Sequence, residues 1–418
     1  LSISAPFAWA TDDPEEDDDD KREAKIGTIT LVDGEDGGPT INIGGAVRFN
    51  FVSENYQVYP GGTDGPDQLD TYWTWDTWRL NVDATISDVD LSFEYRFYPV
   101  FSTHFIHHGY IGYQFTDELY MKMGAFQKPF GISKFASHSW WFQIPYYVGL
   151  EDDYDMGIGL DYSTDQFEVQ LAYFRQSEPE GVYGGFSTFG NSGPARYSYD
   201  VNPDGSGTYS GVYNETTESL ELKPANVREL NTVNARFAYH INPNWEVGVS
   251  GQAGGMFNSE LEESETATAF AGHLVGNFGN FNLKTEYINY NYSAKANDGS
   301  NLDVLQMGAY GFPYPVATEG NIYVAGLSHS FDVDWGPISN ITAYFDYSMI
   351  DKSVEAFADT HHMVPGFLVT AGGIYAYFDY AIGQNQPWLS NPFGVGLGQG
   401  VNDADWNTRF NINLGYYF

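Results

Sequence analysis

The sequence predicts an all-β fold, a closed barrel of sixteen antiparallel strands that crosses a membrane. Three observations point to it. Polar and apolar side chains alternate from Thr40 to the last residue; aromatic residues make up 17% of a chain whose mean hydropathy is −0.36; and no run of eighteen apolar residues occurs. Hydrocarbon offers backbone groups no water to bond, so a chain lacking a spanning helix can cross only as a closed barrel. The 32 Tyr, 30 Phe and 46 Gly match the aromatic-rich walls of such barrels. A soluble chain of 418 residues would normally split into domains. A barrel with a wet centre escapes that limit.

From the N-terminus, residues 1–10 (LSISAPFAWA) read as the remnant of a secretory signal peptide cleaved after Ala10, or else as a plain apolar peptide. Residues 11–38 are acidic and then Gly-rich, with Asp17 to Asp20 in one block, and read as a flexible periplasmic segment. Residues 39–418 form the barrel. Val89 to Phe97 shows the pattern most clearly: Val89, Leu91, Phe93, Tyr95 and Phe97 share one face, while Asp90, Ser92, Glu94 and Arg96 share the other. Phe167 to Tyr173 and Val233 to Ile241 repeat it.

Turn-forming residues mark seven short connections: Ser87-Asp88, Thr116-Asp117, Thr164-Asp165, Asn242-Pro243-Asn244, Gly279-Asn280, Asp332 to Pro337, and Gly372-Gly373. Eight longer loops lie between them, near 53–70, 98–106, 127–155, 176–229, 257–265, 293–320, 351–366 and 383–404. Seven turns and eight loops join sixteen strands and leave both ends on the short-turn side. In the final strand Phe410, Ile412, Leu414, Tyr416 and Phe418 share one face. A closing strand of this kind, ending in Phe, resembles the assembly signal of bacterial outer-membrane proteins, which implies the barrel assembly machinery as a partner.

Composition also excludes functions. A net charge of −38, from 56 acidic and 18 basic residues, argues against nucleic acid, whose phosphates call for clustered Lys and Arg. It favours small cations near the mouth, or acidic loops that bind divalent cations among lipid and lipopolysaccharide head groups. There is no cysteine, which removes thiolate metal sites and disulfides. The histidines, including His107-His108 and His361-His362, occur in no hydrolase motif, and neighbours along a strand face opposite ways. Neither an enzymatic activity nor a cofactor is expected.

Met123-Gly124-Ala125-Phe126-Gln127-Lys128-Pro129-Phe130-Gly131, after the fifth strand, is similar to a segment of the phosphate-selective porin O/P family, and the RFNINLGYYF ending is similar to that of related porins. The resemblance implies an integral protein of the Gram-negative outer membrane, a homotrimer of sixteen-stranded barrels whose third loop folds inward as a constriction. Phosphate-selecting members line the lumen with many Arg and Lys. With 18 in the whole chain, phosphate specificity does not carry over.

Alternation places Arg48, Arg79, Asp83, Glu94, Arg96, Lys122, Asp161, Glu168, Arg236, Lys284, Glu286 and Arg409 on the pore wall, with Asp90, Glu246, Asp346 and Asp379 beside them. These charges either set ion preference or pair across strands. The third loop carries Lys128, Lys134 and His138 on a basic limb and Glu151, Asp152, Asp153 and Asp155 on an acidic one, with Trp140, Trp141, Phe142, Tyr146 and Tyr147 between. The acidic run could ligate Ca²⁺, although it lacks the spacing of an EF-hand loop. Trp73, Trp75, Tyr120, Phe126, Phe174, Tyr344, Tyr375 and Tyr377 fall inward by parity, as a sugar-stacking channel would require. The expected function is passive diffusion of small polar solutes and ions with weak cation preference. The alternatives are a channel specific for saccharides or anions such as phosphate, and a non-conducting scaffold.

Overall fold

A computed structural model describes residues 29–32, 38–55, 71–183, 193–389 and 394–418. The signal-peptide reading and most of the acidic segment lie outside them. Sixteen strands, numbered here in chain order, form the barrel: β1 Thr40–Glu54, β2 Thr71–Ile86, β3 Val89–Tyr98, β4 Thr103–Gln114, β5 Leu119–Gln127, β6 Tyr154–Ser163, β7 Phe167–Ser177, β8 Val227–Asn242, β9 Trp245–Asn258, β10 Glu263–Phe278, β11 Phe281–Asn291, β12 Glu319–Trp335, β13 Ile338–Lys352, β14 Thr360–Ala371, β15 Ile374–Gln384 and β16 Asn407–Tyr417. Each pairs antiparallel with the next, and β1 pairs with β16 from Ala46 opposite Tyr417 to Glu54 opposite Arg409, closing the ring. No helix among the described residues is long and apolar enough to cross a membrane.

All seven predicted turns and the eight loop positions are present. The turn read across Asp332 to Pro337 is tighter than expected, because β12 runs on to Trp335. Within the segment expected to be flexible, Ile29–Val32 forms a short strand against Ile41, Asn42 and Ile43 of β1.

The outer surface explains why this fold needs hydrocarbon. Leu91, Ile111, Met123, Leu171, Val233, Phe237, Val249, Phe270, Leu327, Phe345 and Leu414 all stand exposed on it. Each such side chain left in water forfeits about 1.5–3 kcal/mol relative to an apolar phase. Phe410, Ile412, Leu414, Tyr416 and Phe418 share the outward face of β16, while Asn411, Asn413 and Tyr417 are buried inside.

Two bulges correct the parity argument. Arg48 pairs with Thr77 and Phe49 with Trp75, so Asp76 is the extra residue on β2. Trp75 and Trp73 therefore point outward, 50% and 71% exposed, instead of into a sugar channel. On β4, Glu94 pairs with His108 and Tyr95 with Ile106, leaving His107 as the extra residue. His107 and His108 thus both face inward, against the expectation that neighbours diverge, and their Nδ1 atoms lie 2.9 Å apart.

The sequence reading missed a second sheet. Asp200–Val201, Gly211–Asn214, Ser219–Leu222, Val304–Ala309 and Phe312–Ala317 pair into a five-stranded sheet built from the loops after β7 and β11. Val304–Ala309 is buried on both faces, so its sequence lacks the alternation that marks a half-buried strand.

Candidate pore interior

The inner wall carries its charges as pairs. Arg48 Nε lies 2.9 Å from Asp76 and its Nη2 donates to Thr77 at 2.8 Å. Glu94 is held by Arg96 and stands 3.7 Å from Arg79. Lys122 meets Asp161 at 2.7 Å, and Arg236 bridges Glu168 at 3.1 Å and Glu246 at 2.7 Å. Asp83 accepts from Ser92, and Asp90 from Thr85. Arg409 donates to Asn411 and lies over the Trp141 ring. Charges facing a low-dielectric wall are costly unless matched, and cross-strand partners supply the match.

The segment between β5 and β6 reaches the inward side chains of strands around the ring. The Gly131 amide donates to Ser250 on β9, Ile132 to Glu286 on β11, Trp140 to Asp379 on β15 and Ile144 to Ser348 on β13. Asp346 on β13 accepts from the amides of His138 at 2.7 Å and Ser139 at 2.8 Å, and its other oxygen lies 2.7 Å from His138 Nδ1. Lys284 donates to the carbonyls of Phe135 and Ser137, and Arg236 to that of Gly131. Gly131 has φ +62°, and a Cβ there would sit 2.1 Å from Glu286 Oε1. The glycine admits both the left-handed backbone and the close approach of that carboxylate. These anchors account for Lys284, Glu286 and His138 more fully than a solvated wall does.

The two limbs of this loop do not face each other across open space. Lys128 pairs with Asp153 and lies 3.1 Å from Asp155 and 3.5 Å from Glu229, so the basic start and acidic end of the loop close on each other at its base. Glu151, Asp152, Asp153 and Asp155 are all buried. Asp152 accepts a hydrogen bond from the Tyr197 hydroxyl, and burial pushes its carboxyl up to about 6. Burial likewise holds Glu151 well above the usual carboxylate range. Lys134 is exposed to solvent, and its carbonyl accepts from Gln127 beside Lys128 at 3.2 Å.

Aromatic rings from five loops pack together. Tyr146 stacks on Phe142 at 3.9 Å and meets Tyr199 edge-on at 5.1 Å; Tyr98 meets Tyr310 at 5.0 Å, and Phe101 contacts Trp388 at 5.8 Å. Trp141, Tyr146 and Tyr147 are thus core residues of the assembled loops. Phe126 and Phe174 pack on each other, Tyr344 donates to Asp379, and Tyr375 packs edge-on against Tyr417. Sequence reasoning missed Asp76, whose signal lay in the spacing of Trp73, Trp75 and Trp78: a step of three inside a period of two betrays the bulge. Asp200, Tyr197 and Tyr310 lie in loop segments that carry no such mark.

No protein-family model and no curated protein matches the sequence. Solved structures match over nearly the full length. The anion-selective porin from Comamonas acidovorans is 11% identical with a TM-score of 0.55, over 91% of this chain and 100% of that one. The outer membrane channel DcaP of Acinetobacter baumannii is 11% identical with a TM-score of 0.54, over 92% and 99%. OmpF of Salmonella typhi is 9% identical with a TM-score of 0.55, over 93% and 100%. The chain has the fold of bacterial outer-membrane porins.

Proposed function

We propose that this chain is an integral outer-membrane porin through which small polar solutes and ions diffuse passively. The observation that carries the reading is the closed sixteen-stranded ring, apolar and exposed outside, charged and polar inside. The hydrogen bonds of residues 131–144 to strands around the ring support an inward-folded third loop that narrows the lumen. A weak cation preference rests on the turn-side half of the wall. There Asp83, Asp90, Asp161, Glu168 and Glu246 keep partial access to water, against Lys122 among the cations. Fixed carboxylates with access to water concentrate small cations. A homotrimer in contact with lipid and lipopolysaccharide, inserted by the barrel assembly machinery, completes the proposal.

A second reading has its own support. The aromatic packing among the loops and the burial of Arg48, Arg79 and Arg96 leave little wall for free diffusion on the loop side. That favours a narrow channel for one solute class, saccharides or anions such as phosphate, or a non-conducting barrel. Conductance in planar bilayers separates them. Steps that scale with bulk salt, with a reversal potential on the cation side of a KCl gradient, support the diffusion porin. Anion-side reversal or block by phosphate supports the specific channel, and silence despite insertion supports the scaffold.

A further inference from the structure

We propose that the base of the third loop is a calcium site formed by Asp153, Asp155 and Asp200. Carboxylate oxygens from these three side chains lie within 4.8 Å of one another. Two Ca–O bonds of about 2.4 Å each bridge such a span. Asp153 ends the third loop and Asp155 lies at the start of β6, whereas Asp200 comes from the loop after β7, so the site exists only once that loop packs on the base of the third. All three are buried, at 2%, 1% and 0% exposure.

The charge balance is the first reason to expect a cation. Five carboxylates, Asp153, Asp155, Glu178, Asp200 and Glu229, gather around two cations, Lys128 and Arg196. The second reason is independent of that count. Among the described residues, Asp155 Oδ1, Asp200 Oδ1 and Glu178 Oε2 are buried without a hydrogen-bond partner. Carboxylate oxygens removed from water demand a partner, and the Lys128 ammonium is already shared among Asp153, Asp155 and Glu229. The donors are all oxygen, with no His or Cys, which selects a hard cation over zinc. Calcium accepts an irregular set of carboxylates, whereas magnesium demands a near-ideal octahedron and keeps its waters. The ion would tie the third loop to the following loop. This inference does not depend on what crosses the barrel.

The test uses the full chain, folded in detergent, stripped with EDTA and titrated with Tb³⁺ and then Ca²⁺. Tyr292 is buried beside Lys128 and Asp153 and serves as the excitation donor. Saturable Tb³⁺ luminescence on tyrosine excitation, displaced by Ca²⁺, is expected. Asp155→Asn and Asp200→Asn should each weaken it at least tenfold, and Glu215→Gln, an exposed acid elsewhere, should leave it unchanged. Gel mobility before and after heating confirms that each variant is folded. Should the aspartate variants not fold, Lys128→Met decides: the proposal expects it to fold and to bind Ca²⁺ at least tenfold more tightly. A Lys128→Met barrel that gains no affinity, a wild-type signal that never saturates, or one displaced equally by Mg²⁺ overturns the calcium assignment.

Discussion

Asp346 takes three hydrogen bonds from the middle of the third loop, so replacing it tests how that segment is anchored. Its carboxylate is fully buried and accepts from two backbone amides and His138 Nδ1, each within 2.8 Å. Hydrogen bonds to a charged acceptor contribute about 1.5–3 kcal/mol each, and buried donors left without partners add their own desolvation cost. Taking the lower value for three bonds, Asp346→Ala destabilises the docked loop by about 4 kcal/mol. That is roughly three decades in its opening equilibrium. The flanking anchors at Asp379, Glu286 and Ser250 remain, so the barrel itself should persist. Hydrogen exchange followed by mass spectrometry reads the effect directly: peptides spanning residues 136–144 should lose protection by two to three decades while those from β1 and β16 do not change. Single-channel conductance should rise if the loop narrows the lumen. Unchanged exchange in 136–144 would refute the claim that Asp346 anchors the loop.

Other outcomes follow from the same geometry. Gly124 has φ +143°, and a Cβ there would lie 2.2 Å from the Gly109 carbonyl oxygen, so Gly124→Ala should cost about 2 kcal/mol or more and lower the urea midpoint of the folded barrel. The Asp152 carboxyl is raised by burial to about 6 from its unfolded 3.8, so the native state holds the extra proton between those values. Its contribution is greatest below pH 4 and is lost as pH rises through 6, on the order of 3 kcal/mol. Protease cleavage in the third loop should therefore be faster at pH 7.5 than at pH 5, and Asp152→Asn should flatten that difference. Phe418 closes the seam through two backbone hydrogen bonds with Gly45, of 2.7 and 3.0 Å, so deleting it should reduce folded yield in membranes several-fold, measured by heat-shifted gel mobility.

Strand count, turn positions and the lipid-facing set were legible in the residues because a half-buried strand writes its environment into every second position. Val89 to Phe97 and the closing run from Phe410 are exposed and buried as alternation requires. The same rule mislaid Trp73, Trp75 and His107, since one extra residue on a strand reverses the parity of everything beyond it. The candidate interior was half legible. Alternation put the charged residues on one face of their strands but did not give their partners, because Arg236 with Glu246 and Arg48 with Asp76 meet only once register is set.

Local periodicity alone thus dictated a sixteen-stranded closed ring with a greasy exterior, a polar interior and both ends on one rim. Tertiary structure decided what the loops do. The third loop's hold on Asp346 and Asp379 spans more than two hundred residues of sequence, and Asp200 meets Asp153 only through the packing of two separate loops. Loop contacts follow no repeat. Their partners are chosen by the shape and charge of the space left when the barrel closes, information that no stretch of neighbouring residues carries.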